Sequence, residues 1–353
     1  IELIDEIYEK KIILDVRSNN YEKAANRLVR VSYLNPQKKR AHHSLWFLPY
    51  FKKLIEEGMT KSMSNEMLLA NHLFSNNKKL MELRKEYLIK DYVISHSSSS
   101  LTEEDINWSG DLTHCNAGSL SKKYYDNMLE RIKFFRRMTG ISDNVVFKPE
   151  YNKQAQAAAL IMNANKLLSH HPKENLSCYS ESGYKGASSG NLYMGRWGAD
   201  CIDGYIADAG VSGVGHRRWI INPFNTHFGT GSTYSESEYG YNCLVVITDE
   251  NDYNSENYYK EFPITWPMKG YFPKEFLSNY PWSFSLVGAD FSKVKVLVKQ
   301  GGANKKVKKE TLKNGYAQNT ISWNIKSELN LEKPIKVILL DVYKENGERV
   351  NFE

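Results

Sequence analysis

No stretch of the 353-residue chain approaches the run of about 18 apolar residues that a bilayer-crossing helix requires, so no transmembrane segment is expected. No two of its four cysteines form a Cys-x-x-Cys pair, which excludes a local zinc knuckle or a thioredoxin-like motif. There is no His-Glu-x-x-His and no Gly-x-Ser-x-Gly: Ser212 lies in Gly210-Val-Ser-Gly-Val-Gly, out of register for a nucleophile elbow. No internal repeat is visible. The charge excess is only +6, too small for this length to argue for nucleic acid. No leader with a basic start and an apolar core is visible at Ile1, so the compartment has to be inferred indirectly.

What is present is the composition of an ordinary globular protein, 41% hydrophobic and 25% charged, long enough for two or three domains. The Lys, Asn, Ile and Tyr usage points to a bacterial source. Cys115, Cys178, Cys201 and Cys243 are either two disulfides or four buried thiols.

Three textures divide the chain. Residues 1–94 read as helical, with Ala24, Ala25, Leu28 and Val29 and later Leu80, Leu83, Tyr87 and Leu88 at the spacing of one helix face. Residues 95–113, with the serine run 97–100, read as a linker that offers little apolar surface. Residues 114–260 alternate helices and short strands. A helix is expected from Tyr124 to Met138 ending at Gly140, another from Glu150 to about His170 before Pro172, a third over 199–209, and a buried strand over 243–248. From 261 to 353 the texture is all-β. Val294, Val296 and Val298 alternate with lysines, and Gly301-Gly302, Asn314-Gly315 and Asn346-Gly347 mark turns, which together indicate an immunoglobulin-like β-sandwich. Its lysines at 293, 295, 299, 305, 306, 308 and 309 serve as solvated faces and edge protection, or as a basic surface for an anionic cell-wall polymer. The connecting segment Phe262-Pro-Ile-Thr-Trp-Pro-Met is too apolar for a free tether, so Trp266 is expected to anchor the sandwich to what precedes it.

The chemistry concentrates in Gly213-Val-Gly-His-Arg-Arg-Trp-Ile-Ile-Asn-Pro223, where glycines allow close backbone approach around His216. Upstream lie Lys133, Phe134, Phe135, Arg136 and Gly140, then Gln154-Ala-Gln-Ala-Ala-Ala, Leu168-Ser-His170, Ser189-Gly-Asn-Leu192 and Asp203-Gly-Tyr-Ile-Ala-Asp208. In that order, over about 127–252, the motifs closely resemble the CAP superfamily of cysteine-rich secretory proteins, antigen 5 and plant pathogenesis-related proteins, nearest to a bacterial branch often followed by a β-sandwich.

The resemblance implies an α+β fold, an α-β-α sandwich, with secretion or cell-wall association and a cleft centred on two histidines. Carried over by position, those are His170 and His216, with Asp208 as an acidic partner and Asn191 and Tyr205 in the cleft. The glutamate of the family's Gly-Glu-Asn is Gly190 here, and the family's early His-Asn pair is replaced by Ile132 and Lys133. Read against the family helices, the cysteines are expected to pair as Cys115–Cys178 and Cys201–Cys243.

His170 is expected at a helix C-terminus. Asp208, in the last turn of a helix, faces the wrong end of the dipole and needs a partner: Arg217, Arg218, a histidine or a metal. His170, Asp208 and His216 are expected to converge on Zn²⁺ or another divalent ion, with water in the position left at Gly190; the competing expectation is a His-Asp network without metal. The leading functional reading is non-enzymatic binding of a lipid, peptide or partner protein. A metal-dependent, peptidase-like hydrolase with Asp208 in a catalytic role is the alternative, and an adhesion role of the sandwich is third.

Overall fold

The computed structural model describes residues 78–97, 101–234, 240–251, 263–278, 280–315 and 317–353, and before them residues 10–12, 14–15, 18 and 24. Most of the helical region expected over 1–94 lies outside the described residues. Its described end is α1 (Lys78–Asp91), continued by a π-helical turn over Tyr92–Ser97. Tyr87 and Leu88 of α1 enter the main core, which Ile12 and Ala24 also reach. A buried ion pair fastens the helix: the Arg137 guanidinium donates to both carboxylate oxygens of Asp91 (2.7 and 2.8 Å) and to Glu130 and Asp143. Such a pair, taken out of water, holds only with its hydrogen bonds satisfied. The stretch 95–113, expected as a linker, contains α2 (Glu103–Ile106), whose capping box joins Thr102 and Asp105 and whose Ile106 is wholly buried.

Helix α3 (Lys122–Met138) starts at Ser121, whose hydroxyl accepts from the Tyr124 amide, and is followed by Gly140 at φ 72°. Its Tyr124, Met128, Ile132 and Phe135 recur on one buried face. β1 (Val146–Phe147) leads into α4 (Pro149–Asn165), then α5 (Glu181–Ser189), β2 (Gly190–Met194), α6 (Asp200–Ala207), α7 (Gly215–Ile220), β3 (His227–Thr233) and β4 (Tyr241–Val245). The sheet order is β1-β3-β4-β2, antiparallel apart from the β1–β3 pair. Helices α4 and α5 cover one face and α3, α6 and α7 the other, so the expected α-β-α sandwich is formed.

Close packing on the first face depends on small residues. A Cβ at Gly229 or Gly231 of β3 would meet Tyr151 or the Gln156 backbone at 2.3 Å, and one at Gly186 of α5 would meet the Gln154 carbonyl at 2.2 Å. The Gln156 amide then completes the β3 edge, donating to the Ser232 carbonyl (2.9 Å) and accepting from its N–H (3.0 Å).

Two expectations are corrected here. Helix α4 ends at Asn165, not near His170: Lys166 is left-handed at φ 50°, and the Asn165 amide donates to the carbonyls of Ile161 and Ser177, turning the chain out of the helix. Of the expected disulfides, Cys115–Cys178 forms, but Cys201 and Cys243 are free and buried. Side chains alternate along β4, so Cys243 faces the α4–α5 layer while Cys201 sits in the core on the other side of the sheet. Their thiols donate to the carbonyls of Gly186 and Arg196, and burial raises both above ordinary thiol values.

The C-terminal part is two four-stranded sheets. One has the order β5 (Ile264–Trp266), β6 (Trp282–Ser285), β10 (Thr320–Ile325), β9 (Val307–Lys309); the other is β12 (Arg349–Phe352), β11 (Lys336–Tyr343), β7 (Lys295–Gln300), β8 (Ala303–Lys305). All pairings are antiparallel. Trp282, Phe284, Ile321, Trp323, Val298 and Leu339 form the core between the sheets. The first sheet is buried on its other face too, through Ser283, Ser285, Thr320 and Ser322. Trp266 of β5 is fully buried in the main core, against Phe135 and under the Arg217 guanidinium at 4.7 Å.

Candidate functional site

The segment between α6 and α7 is bent by four left-handed residues, Asp208 (φ 49°), Gly210 (81°), Gly213 (81°) and Val214 (47°). A β-branched residue rarely adopts positive φ, and Val214 is held there fully buried, directly before the start of α7. That turn delivers His216. Its Nδ1 lies 2.7 Å from Asp208 Oδ1, and Asp208 Oδ2 accepts the Arg217 amide at 3.3 Å. Asp208, capping α6 in a buried position, is thus compensated by an imidazole and a backbone N–H.

His170 comes from the loop after α4, where its Nδ1 faces the Ala187 carbonyl of α5 at 2.9 Å, an arrangement in which Nδ1 is the donor. Both rings line one cleft of about 180 Å³. Ser188, Ser189, Gly190 and Asn191 supply polar wall, and Val211, Trp219, Val246 and Ile247 the apolar side. Asn191 donates to the His216 carbonyl (3.1 Å), tying β2 to α7.

The segment 129–248 matches the family model described as CAP: Cysteine-rich secretory protein family. This chain carries a CAP domain. Comparison with curated proteins and with solved structures returns no match.

Within the CAP domain, His170, Asn191 and His216 meet at the cleft, whereas Asp208 and Tyr205 stand behind it. The Tyr205 hydroxyl lies 2.8 Å from the Asn242 amide oxygen and 3.0 Å from the Asn191 carbonyl, and burial raises its pKa well above the usual tyrosine value. The expected convergence of His170, Asp208 and His216 on one ion therefore does not occur, because the Asp208 carboxylate is spent on His216 Nδ1 and the Arg217 amide. Among the described residues no three His, Cys, Asp or Glu side chains cluster as a metal would require. The donors facing the cleft reduce to two imidazoles.

Nor is there an open position at Gly190: a Cβ there would meet Cys243 Sγ at 2.7 Å and the Gly186 carbonyl at 2.8 Å. The space that a side chain would need is already packed. His171, the residue after His170, lines a separate groove beside Tyr184, whose ring centroid is 6.1 Å from its own.

The two arginines after His216 leave the cleft altogether. Arg217 donates to the carbonyls of Ile206 (2.6 Å), Ala207 (3.2 Å) and Pro281 (2.6 Å), and burial lowers its pKa to about 10. Arg218 donates to the carbonyls of Lys313 and Gln318. From the sandwich side, Glu310 accepts the Gly213 amide (3.0 Å) and is itself held by Ser322 and Asn324. The motif thus both presents the histidine and docks the C-terminal sheet.

Sequence reasoning missed the apolar lip. Ile247 is 47% exposed and Val211 39%, and both stand on the wall of the cleft. Their signal was available: Ile247 is the residue after Val246 in a run that reads as buried, and Val211 sits in a glycine-rich loop with no core to enter.

Proposed function

We propose that the chain is a secreted or cell-surface binding protein whose CAP cleft takes an amphipathic ligand, a lipid or a peptide. The polar end would lie at His170 and His216 and the apolar end along Val211, Trp219 and Ile247. The observation that carries this reading is the composition of the cleft, two imidazoles and an asparagine facing an exposed aliphatic lip. The serines of the wall argue against a nucleophile, since the hydroxyls of Ser188 and Ser189 donate to the Lys185 carbonyl and neither is bonded to a histidine. The Cys115–Cys178 bridge supports an oxidising compartment. The two antiparallel sheets support an immunoglobulin-like reading of the C-terminal part.

A fluorescent fatty acid tests the proposal. Saturable binding that falls at least tenfold in Ile247→Asp and in His216→Ala supports it; no binding, or binding undiminished in both folded variants, overturns it. A second reading, metal-assisted hydrolysis, draws on the Nδ1 contacts of both rings, which place the proton on Nδ1 and leave the Nε2 lone pair of each to ligate a metal. Calorimetric titration with Zn²⁺ tests that reading: heat lost in the double variant His170→Ala, His216→Ala supports it, and no heat from the wild type refutes it.

A further inference from the structure

The lysine-rich part of the chain has a charge distribution that the cleft does not use. From 291 to 353 there are thirteen lysines and arginines against seven acids, an excess of six equal to the net charge of the whole chain. The remaining residues balance only as a whole, an excess of five over 1–94 offsetting a deficit of five over 95–290, so beside the acidic CAP region the sandwich stands out as basic.

Within the sandwich the lysines gather at one side. β8 is the edge of one sheet and β9 the edge of the other, and Lys306 alone joins them. The Lys326 amide donates to the Lys306 carbonyl (2.8 Å), bringing the end of β10 to the same corner. On β7, Lys299 pairs with Asn304 of β8 on one side and with Lys336 of β11 on the other, and the latter places two like charges directly opposite each other. That juxtaposition costs stability. Lys336 is relieved by Glu353, but no described carboxylate pairs with Lys299, Lys306, Lys308 or Lys326.

Edge protection does not account for this placement. A lysine or two suffices to blunt a strand edge. At the opposite edge of the second sheet, β12 carries one basic residue, Arg349, and that one is paired with Asp341. The unpaired charge is instead concentrated where the two sheets are joined by the chain itself.

We propose that this corner of the sandwich binds a linear phosphodiester polymer that lacks bases. Lys306, which leads into β9, and Lys308 within it are two residues apart, about 7 Å at strand spacing, the scale on which a phosphate chain with short carbon spacers repeats. Nucleic acid is the less suitable polyanion. Binding of single strands relies on exposed rings for base stacking, and among the described residues from 291 to 353 no Phe, Trp or Tyr is exposed. The binding free energy then comes from counterion release and is sequence-independent.

Poly(glycerol phosphate) of defined length, titrated into the full chain by calorimetry from 50 to 300 mM salt, tests the proposal. The wild type should bind saturably with affinity falling as salt rises. The variant Lys299→Gln, Lys306→Gln, Lys308→Gln, Lys326→Gln should bind at least tenfold more weakly, and its log–log salt slope should be smaller by about three, since each neutralised phosphate of a single strand contributes roughly 0.7. The matching quadruple arginine variant should bind like the wild type, and this separates loss of charge from loss of fold. No wild-type binding at 50 mM salt, or equal binding by the glutamine variant, overturns the proposal. Tighter binding of oligothymidylate with the same number of phosphates overturns it in favour of nucleic acid.

Discussion

The Asp208 carboxylate lies 2.7 Å from Nδ1 of His216, with Asp208 buried and capping α6 while His216 opens onto the cleft. Eight residues apart, the two are brought together by the left-handed turn through Gly210, Gly213 and Val214. The acid orients the imidazole and satisfies the first turn of α7 through the Arg217 amide, and so acts on the cleft without entering it.

Replacing that acid should therefore reveal its two contacts. Asp208→Ala leaves an imidazole N–H and a buried amide without an acceptor and places alanine at positive φ, an expected loss of about 3 kcal/mol in urea unfolding. Asp208→Asn keeps an acceptor and tolerates the left-handed conformation, so its loss should be about 1 kcal/mol. Equal losses for the two would contradict the assigned role.

The glutamate that the family carries cannot simply be restored. Gly190→Ala already drives a Cβ into Cys243 Sγ and the Gly186 carbonyl, and overpacking of this kind costs about 1–3 kcal/mol. Adding Cys243→Ala should recover only part of that, because the carbonyl remains. Full recovery in thermal melts would show that the sulfur alone closes the position.

Cysteine chemistry should separate into two classes. The Cys115–Cys178 bridge closes a sequence separation of 63 residues, and its removal by Cys178→Ser should cost about 4 kcal/mol on chain-entropy grounds. Cys201 and Cys243, buried and with thiol values raised, should react with iodoacetamide only after unfolding. Mass mapping of the native protein that finds either of them alkylated at once would refute this.

The hold of the sandwich on the cleft rim should be visible in amide exchange. Glu310→Ala removes the acceptor of the Gly213 amide, so exchange over 210–215 should rise by an order of magnitude or more while the strands of the second sheet stay protected. Unchanged exchange at Gly213 would mean that the loop is held from the CAP side alone.

Acid should weaken the fold through its paired aspartates. Hydrogen bonds from Lys295 and Arg349 hold the Asp341 carboxyl below its ordinary 3.8, and the Lys123 ammonium and the Thr102 amide do the same for Asp105. A lowered acid stabilises fully above its unfolded value and loses that contribution as pH falls through the folded one, so the decline belongs below pH 3.8. Melting curves from pH 2 to 6 should show a smaller decline for Asp341→Asn than for the wild type.

Much of this architecture was legible in the chain because it rests on local pattern. Tyr124, Met128, Ile132 and Phe135 recur at helical spacing and form the buried face of α3. Val294, Val296 and Val298 alternate with lysines and turn inward in the sandwich, and Gly140 stands at positive φ just after α3. His170 and His216, singled out by motif order, do share a cleft.

What the chain alone could not decide was which buried faces meet. Period two puts Cys243 on one side of β4, but only the layering shows that Cys201 lies beyond the sheet. Asp208 needed a partner on electrostatic grounds, yet the choice among arginine, histidine and metal depended on a turn of left-handed residues that no periodicity encodes. Arg217 and Arg218 were candidate partners of Asp208, while their side chains donate to carbonyls that include Pro281, Lys313 and Gln318, more than sixty residues away. Hydrophobic period and turn chemistry act between neighbours in sequence. Close approach at Gly190 and the docking of a guanidinium depend on contacts across sheets and helices, and these exist only once the layers have packed.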